Sequence, residues 1–357
     1  MIPGAATVGH VGLLRNDALG DTLLVLPAAT AIKRYDRNIR VELVCDPAYA
    51  DLLRAHPDLD DVVADPGGSA RELAQTLRAQ RYDALLVLRP TPRNTWAAFR
   101  ARVPLRIGTG YRAYSVLFNR RWFGHRRTNQ KHEAEYNLEL VRKLIGKDPG
   151  PPQYYLSAPP GEREAAEALL TETGLDRTRP MVAIHPGSRG SALAWPPERF
   201  ARLAAGLRQD GIQVLVTGVA SEADLTAPVA AAEGVVDLTG RTNLGQLAWI
   251  YKHCDCMLAN STGTLHLAAA VGTKVVGIYP AAEINSPVRW GPYGPGHKTF
   301  RGPVDNCPKC IGSECPVYNC LELLAVEDVL RVVKGVAAQS AHHAPCATRA
   351  CSLSAAR

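Results

Sequence analysis

The 357-residue chain has no apolar run close to the roughly 20 residues that a helix needs to cross a bilayer. Its first ten residues lack the basic start and the long apolar stretch of a secretion signal. No glycine-rich loop carries the lysine of a P-loop, so ATP hydrolysis of that kind is not supported. These absences lead us to expect a cytoplasmic protein.

Positive charge is in only modest excess, since the formal net charge is +7. The excess is uneven, and one basic stretch has aromatic residues between its charges. Such a patch raises the local concentration of phosphates and carboxylates, although a solvated surface loop would have the same composition. We predict that this patch binds an anionic ligand through Arg120, Arg121, Arg126, Arg127 and Lys131.

Short apolar runs alternate with helical patterns twice along the chain, which is typical of a parallel sheet covered by helices on both faces. A proline- and glycine-rich segment, 148–160, separates the two series. We predict an α/β protein with two doubly wound, Rossmann-like domains, residues 1–160 and 161–335, and a disordered tail over 336–357. In such folds ligands bind at the carboxyl ends of the strands, here in the cleft between the domains.

The first candidate site follows the first predicted strand, where Gly20 and Asp21 open a helix. Glycine permits a tight turn and close approach of a ligand to the backbone. Asp21 at or near the helix N-cap could be a simple cap, or it could take a proton from an attacking hydroxyl. Asp17 is a second, weaker candidate in the same loop.

Another loop joins a strand to a helix through Ser261, Thr262, Gly263 and Thr264, with His266 one turn further on. Free backbone N–H groups and the positive end of the helix favour an anion there, and the hydroxyl groups could add hydrogen bonds to a diphosphate. An ordinary helix start is the alternative. We predict phosphate binding, because the loop lies at the carboxyl end of a strand.

Two more loops follow strands of the second half. In one of them Ser188 and Arg189 could contact phosphate oxygens, although a flexible surface loop has the same composition. In the other, Gly218 precedes Glu222, which could bind ribose hydroxyls or stabilise a helix start. Taken together, the loops predict that the C-terminal domain holds a nucleotide.

The nine cysteines include a group spaced C-x2-C-x4-C-x4-C: Cys307, Cys310, Cys315 and Cys320. Four thiolates at this spacing could hold a structural zinc ion. An iron–sulfur cluster, and a set of reduced or disulfide-linked cysteines, remain open as alternatives.

Several of these segments resemble glycosyltransferase family 9, the ADP-heptose:lipopolysaccharide heptosyltransferases. The resemblance covers residues 8–335 and is carried by LGDTLLVLPA (Leu19–Ala28), HPGSRGSALAWPPERFARLA (His185–Ala204), DLTGRTNLGQLAWI (Asp237–Ile250), ANSTGTLHLAAAVGTKVVGIYP (Ala259–Pro280) and RWGPYG (Arg289–Gly294). It implies a GT-B fold with the active site between the domains. It also implies an inverting transfer that needs no metal or cofactor, with Asp21 as the catalytic base and Ser261–Thr264 as the diphosphate-binding turn.

The resemblance further implies transfer of heptose from ADP-heptose to an anionic lipopolysaccharide-core acceptor, with the enzyme peripheral to the inner membrane. The basic patch at 120–131 would then bind the acceptor. Two positions depart from the family, which has a lysine at Leu193 and an aspartate at Ser261, so the donor sugar stays open. Another donor or acceptor, a nucleotide-sugar epimerase and a non-catalytic nucleotide-sugar-binding protein are the competing hypotheses.

Overall fold

A computed structural model describes residues 8–340, except 189, 191, 306, 308–309, 311–314, 316–317 and the side chain of Arg127. The described chain folds around two six-stranded sheets in which every pairing is parallel. Within this part of the chain no helix is long and apolar enough to cross a membrane.

The N-terminal sheet has the strand order β3-β2-β1-β4-β5-β6. The central strand is apolar on both faces: Val11, Leu13 and Leu14 have no exposed surface. This is the pattern expected where helices cover both sides of a parallel sheet. The strands are β1 (His10–Leu14), β2 (Arg40–Cys45), β3 (Asp61–Ala64), β4 (Ala84–Val87), β5 (Leu105–Thr109) and β6 (Arg120–Trp122).

Six helices cover this sheet. The chain forms two helices after β1, because it turns at Leu24 and Val25 before Pro27, which has no N–H to continue the first helix. The helices are α1 (Leu19–Leu23), α2 (Leu26–Tyr35), α3 (Pro47–Leu53), α4 (Ala70–Gln80), α5 (Pro92–Arg100) and α6 (Glu133–Ile145). A 3-10 helix, Ala113–Leu117, connects β5 to β6.

The C-terminal sheet has the order β12-β11-β10-β7-β8-β9. Its strands are β7 (Met181–His185), β8 (Gln213–Val216), β9 (Val235–Asp237), β10 (Cys256–Asn260), β11 (Lys274–Tyr279) and β12 (Lys298–Arg301). Its helices are α7 (Arg163–Glu172), α8 (Pro197–Gln209), α9 (Ala223–Ala230), α10 (Leu244–Lys252), α11 (Gly263–Ala270), α12 (Pro287–Trp290) and α13 (Val326–Ala338).

Both sheets have the same topology. Counted within its own half, each sheet runs 3-2-1-4-5-6, the Rossmann order in which the chain changes direction between the first and fourth strands. Ligands of such folds bind at this switch point. The loops after β1 and β4 flank it in the N-terminal half, and those after β7 and β10 flank it in the C-terminal half. The predicted fold class is confirmed.

The segment 148–160 passes between the two halves without regular structure until Pro160 and is fastened to the second half. The Tyr154 hydroxyl donates to the carbonyl of His266 (2.8 Å), and the Leu156 N–H donates to the carbonyl of Ala270 (2.7 Å). At the other end of the chain, α13 continues to Ala338 and buries Val336 and Ala337. The helix therefore runs past residue 335, where we expected the tail to begin, and 341–357 lie outside the described residues.

The two halves meet most closely where α1 crosses α11, at two glycines. A Cβ on Gly20 would lie 2.7 Å from Cδ2 of His266 and 3.2 Å from Cα of Gly263. A Cβ on Gly263 would in turn lie 3.0 Å from the backbone nitrogen of Gly20. Neither position has room for a side chain, so glycine at both lets the first turns of the two helices pack backbone against backbone.

We expect Gly20→Ala to separate these turns and to lower the free energy of unfolding by about 1–3 kcal/mol, the usual range for overpacking a close contact. Urea denaturation would measure the change. Gly335→Ala is the matched control, because a Cβ there meets nothing within 4 Å. In the middle of α13 this change should raise stability by about 0.5–1 kcal/mol. Equal effects of the two substitutions would contradict the close packing.

Candidate active site

The loop from β1 to α1 brings Asp21 into the cleft. Ala18 is the N-cap of α1 and Asp21 is the third helical residue, with no side-chain cap hydrogen bond at this helix. Asp21 therefore lies in the first turn, near the N-cap as predicted, but it is not the residue that caps the helix. The Asp21 carboxylate is a quarter exposed and accepts a hydrogen bond from the Arg15 guanidinium. Asp17 accepts a second hydrogen bond from Arg15, at 2.7 Å.

A buried carboxylate, Glu133 at the start of α6, gathers three arginines next to Asp21. Its side chain is only 1% exposed. Oε1 accepts from Nη1 of Arg15 at 3.1 Å and also from Arg126, while Oε2 accepts from Nε of Arg289 at 3.0 Å. Arg289 comes from α12 in the C-terminal half, so this ion cluster crosses the cleft.

More contacts between α6 and the C-terminal half surround the ion cluster. The Nδ1 atom of His132 accepts from the N–H of Ala134, which leaves Nε2 to donate to the carbonyl of Gly291 at 2.8 Å. Burial lowers the pKa of His132, in keeping with a neutral ring. The Asn129 amide donates to the carbonyl of Glu283 at 2.6 Å. The start of α6 therefore fastens the segment 283–291 to the N-terminal half.

The charges in this cluster set the basicity of Asp21. Burial raises its pKa, Arg15 opposes that effect, and Asp17 and Glu133 raise the pKa further, to about 6. Glu133 behaves in the opposite way: burial would raise its pKa, but Arg126, Arg15 and Arg289 lower it to about 2. Glu133 therefore stays ionised at all ordinary pH values, while Asp21 is mainly ionised at neutral pH yet still basic enough to accept a proton.

A cavity of about 610 Å³ opens beside the ion cluster, at the carboxyl ends of β4 and β5. It has both cationic and aromatic walls, a combination that suits an anionic, ring-containing ligand. Its lining comprises Arg15, Leu88, Arg89, Pro90, Thr109, Tyr111, Arg112, Trp122, Gly124, His125, Arg126, Glu133 and Arg289.

The predicted basic patch does not act as one surface. Arg126 lies in the ion cluster, with Nη2 donating to Asn137 at 3.3 Å. Arg120 instead donates to the carbonyl of Lys143 and lines a separate groove, and Lys131 pairs with Glu139 at 2.7 Å. Arg121 is exposed, and its side chain alternates with that of buried Trp122 along β6. The side chain of Arg127 lies outside the described residues.

The predicted diphosphate turn has the geometry of a helix start with available backbone donors. Thr262 is the N-cap of α11 and makes no side-chain cap hydrogen bond, so the first amides of α11 have no such partner. The preceding Asn260 is fully buried. Its Oδ1 accepts from the N–H of Trp195 at 2.9 Å, and its Nδ2 donates to the carbonyl of Pro186 at 2.7 Å. Asn260 therefore holds the loops after β7 and β10 together.

Glu222 lies beneath the loop that follows β7. Its Oε2 accepts from the N–H of Val219 at 3.0 Å, while Oε1 is buried with no hydrogen-bond partner among the described residues. A Cβ on Gly187 would lie 2.1 Å from Oε1, so only glycine fits above this carboxylate. The next predicted residue, Gly218, is also close, with its Cβ position 3.6 Å from Cβ of Glu222.

Other predicted donor residues differ in their surroundings. The Ser188 hydroxyl is buried and donates to the carbonyl of Ala192 at 3.1 Å. Burial lowers the pKa of His266 to about 3, so the ring is neutral where it packs against Gly20. Leu193 is 4% exposed in the apolar cluster around Trp195, so this position supplies packing rather than charge. Arg189 lies outside the described residues.

The four cysteines of the predicted metal site are free thiols. Cys310 and Cys320 are buried, and burial raises the pKa of each thiol. Among the residues that the structure describes, no three His, Cys, Asp or Glu side chains are grouped closely enough to hold a metal ion. The zinc site therefore stays a prediction.

Sequence reasoning missed three members of the ion cluster as site residues: Arg15, Glu133 and Arg289. Arg15 ends the first apolar run, and Arg289 begins the RWGPYG segment, so each had a local signal. Glu133 had none, because its contact with Arg15 joins residues 118 positions apart. Only the folded chain reveals that the Glu133 carboxylate binds arginines from both domains.

Two Rossmann-like domains that face each other across a cleft form the GT-B fold. The family model described as glycosyltransferase family 9 (heptosyltransferase) matches residues 70–320. The chain therefore belongs to glycosyltransferase family 9, and the resemblance predicted from its motifs is confirmed. The protein is a glycosyltransferase, and the epimerase alternative is set aside.

Among curated relatives, a putative glycosyltransferase of Haemophilus influenzae is 27% identical over 333 residues, covering 89% of this chain and 94% of its own. Lipooligosaccharide heptosyltransferase 2 of the same species is 25% identical over 282 residues, covering 73% and 80%.

Among solved structures, a family 9 glycosyltransferase of Veillonella parvula has a TM-score of 0.80 at 20% identity, covering 93% of this chain and 98% of its own. The E. coli ADP-heptose lipopolysaccharide heptosyltransferase II has a TM-score of 0.77 at 21% identity, covering 92% and 99%. At these identities the two structures are evidence for the fold alone.

We expect Glu133→Gln to leave three guanidinium groups with too little negative charge between them. Breaking a buried ion cluster in this way should lower the free energy of unfolding by about 3–5 kcal/mol, measured by urea denaturation. Glu139→Gln on the same helix is the control, because its partner Lys131 is half exposed. The Glu139 substitution should lower the free energy of unfolding by less than about 1 kcal/mol. A Glu133 variant as stable as the control would show that the cluster is not structural.

Proposed function

We propose that this protein transfers a heptose from ADP-heptose to the inner core of lipopolysaccharide, with inversion at the anomeric carbon. The observation that carries the proposal is the position of Asp21, in the cleft, one residue from the glycine that packs against the helix start at Gly263. Family membership supports glycosyl transfer. The names of the relatives, which include a lipooligosaccharide heptosyltransferase, favour heptose among the sugars.

In the proposed reaction an acceptor hydroxyl oxygen attacks the anomeric carbon from the face opposite the diphosphate. The new C–O bond forms as the bond to the phosphate oxygen breaks, ADP leaves with that electron pair, and Asp21 takes the hydroxyl proton. A base with a pKa of about 6 suits this step, because it is ionised near neutral pH and still accepts a proton as the oxygen becomes acidic.

The donor would lie against the C-terminal half. Amides at the start of α11, together with Ser261, Thr262 and Thr264, would bind the diphosphate, because oriented N–H groups stabilise the charge that develops on the leaving group. Glu222 would bind a ribose hydroxyl only after its carboxylate turns out from beneath Gly187, which now covers Oε1.

The acceptor would occupy the cavity of the N-terminal half. Arg89 and Arg112 line this cavity in addition to the clustered arginines, so it can receive the phosphates and carboxylates of a lipopolysaccharide core. This acceptor would place the protein in the cytoplasm at the inner membrane surface. The proposed transfer uses no metal or cofactor, and zinc at the four cysteines would be purely structural.

Mixing the protein with ADP-heptose and a truncated core acceptor tests the proposal directly. We expect release of ADP together with a product whose new linkage has the anomeric configuration opposite to that of the donor. A transfer product from another nucleotide sugar, but none from ADP-heptose, would agree with the family assignment and contradict the proposed donor. Saturable donor binding without turnover in the presence of the acceptor would favour a non-catalytic binding protein.

Asp21→Asn should slow this transfer by about 10²–10⁴-fold, the usual contribution of a general base. The affinity for the donor should stay nearly unchanged, because the substitution keeps the shape of the side chain. Isothermal titration and initial rates would separate the two effects. Asp17→Asn is the matched control in the same loop, and its rate should remain within about tenfold of the unaltered protein. Comparable losses of rate in both variants would contradict the assignment of Asp21 as the base.

The ratio kcat/KM, which reports the ionisation of the free enzyme, should fall below pH 6. The raised pKa of Asp21, about 6, means that its carboxylate becomes protonated at lower pH and can no longer act as a base. For a single ionisation kcat/KM then drops about tenfold per pH unit on the acidic side and is flat above it. Measurement of kcat/KM between pH 4.5 and 8, a range around the pKa of Asp21, would reveal the acidic side of this profile. A kcat/KM independent of pH down to 4.5 would contradict the assignment.

A further inference from the structure

The excess of positive over negative charge in this protein comes from one segment. Residues 84–132 contain ten arginines and one lysine but no aspartate or glutamate. The rest of the chain has thirty basic and thirty-four acidic residues, so outside this segment the protein is slightly acidic. The segment runs from β4 to the N-cap of α6, and it therefore forms one side of the N-terminal domain.

Only part of this charge is neutralised by the rest of the chain. Among the described residues, carboxylates lie within ion-pair distance of Arg89, Arg93, Arg126 and Lys131, at the edge of the cleft or on α6. The described ion pairs of this segment do not include Arg100, Arg102 or Arg121, which are all exposed. An exposed cationic surface is left beside the neutralised site.

The same surface exposes large apolar side chains, although Trp and Phe together number only ten in the chain. Trp96 and Phe99 of α5 are 44% and 42% exposed, and their rings stack at 5.9 Å. Val116 on the neighbouring 3-10 helix is 73% exposed. Arg106 connects the two elements, since its guanidinium lies 5.6 Å from the ring of Phe99 and its Nε donates to the carbonyl of Leu117.

Cationic and apolar groups alternate here over short distances. The Arg100 guanidinium lies 5.4 Å from the ring of Trp96. Further along, Tyr111 packs against Phe123, which is 57% exposed, with ring centroids 5.7 Å apart. Tyr111 and Arg112 line the cavity, and the 3-10 helix begins at the next residue. The surface therefore adjoins the mouth of the cavity.

We propose that this basic aromatic surface, comprising Trp96, Phe99, Arg100, Val116 and Phe123, docks on an anionic lipid bilayer. Trp and Phe side chains of this kind partition into the headgroup region, and nearby arginines are attracted by anionic headgroups. Single exposed apolar residues need no explanation, but here they coincide with the cationic side of a chain that is otherwise slightly acidic. Docking would turn the cavity mouth towards a lipid-linked acceptor, and only this last point rests on the proposed function.

Sedimentation of the full-length protein with vesicles tests the proposal without any substrate. We expect binding to vesicles of phosphatidylcholine that contain phosphatidylglycerol, and much weaker binding to phosphatidylcholine alone. Trp96→Ala with Phe99→Ala should weaken binding to the anionic vesicles at least about tenfold, because two interfacial aromatics are lost. Arg100→Gln should weaken it about fivefold, and raised salt should weaken it further.

Tyr35→Ala with Leu323→Ala is the matched control, because these side chains are 43% and 54% exposed elsewhere on the molecule. The control should bind vesicles like the unaltered protein, and thermal melting would verify that all variants fold. The proposal would be overturned if the protein bound neutral and anionic vesicles equally, or if the control variant lost as much vesicle binding as the surface variants. Tighter binding to RNA than to anionic vesicles would also overturn it. If vesicles are not bound but a soluble acceptor is glycosylated, only this inference fails. If vesicles are bound but no sugar is transferred, the proposed function fails instead.

Discussion

One buried carboxylate connects the two halves of this molecule beside the candidate active site. Glu133 accepts hydrogen bonds from two arginines of its own domain and from Arg289 of the other. A carboxylate this deeply buried is stable only when its charge is fully compensated, and the guanidinium groups in turn need the carboxylate. The geometry of the cleft therefore depends on the charge balance of the ion cluster. Next to this cluster, the glycine contact between α1 and α11 packs the two backbones together.

The same balance explains why the pKa of Asp21 is raised although its carboxylate is paired with an arginine. An isolated ion pair with Arg15 would lower the pKa of Asp21 and make the carboxylate a poor proton acceptor. Here Arg15 is shared with Asp17 and Glu133, and the partial burial of Asp21 disfavours its charge. The arginines of the cluster equal the nearby carboxylates in number, so burial prevails and the pKa rises to about 6.

The sequence predicted well those features that depend on neighbours along the chain. Alternating apolar runs indicated both parallel sheets, and the glycine-containing turns after β1 and β10 were found because each follows a strand directly. Five strands were missed: β3, β5, β6, β9 and β12. Each of them is partly exposed, so its sequence lacks the continuous apolar run by which the buried strands were recognised. Glu133 was missed for a different reason: its function depends on partners far away in sequence, which no local pattern encodes.

The basic stretch illustrates why composition alone could not assign its residues. Arg126 turns inward and is neutralised by Glu133, Arg120 donates to a backbone carbonyl of α6, and Arg121 remains on the surface. Charges held inside the cluster adjust a pKa and are hardly screened by salt, whereas exposed charges act on distant anions and are screened. One cationic segment can therefore serve two purposes. Its paired members balance the charges around Asp21 in the cleft, and its exposed members give one face of the domain a positive potential that attracts anions.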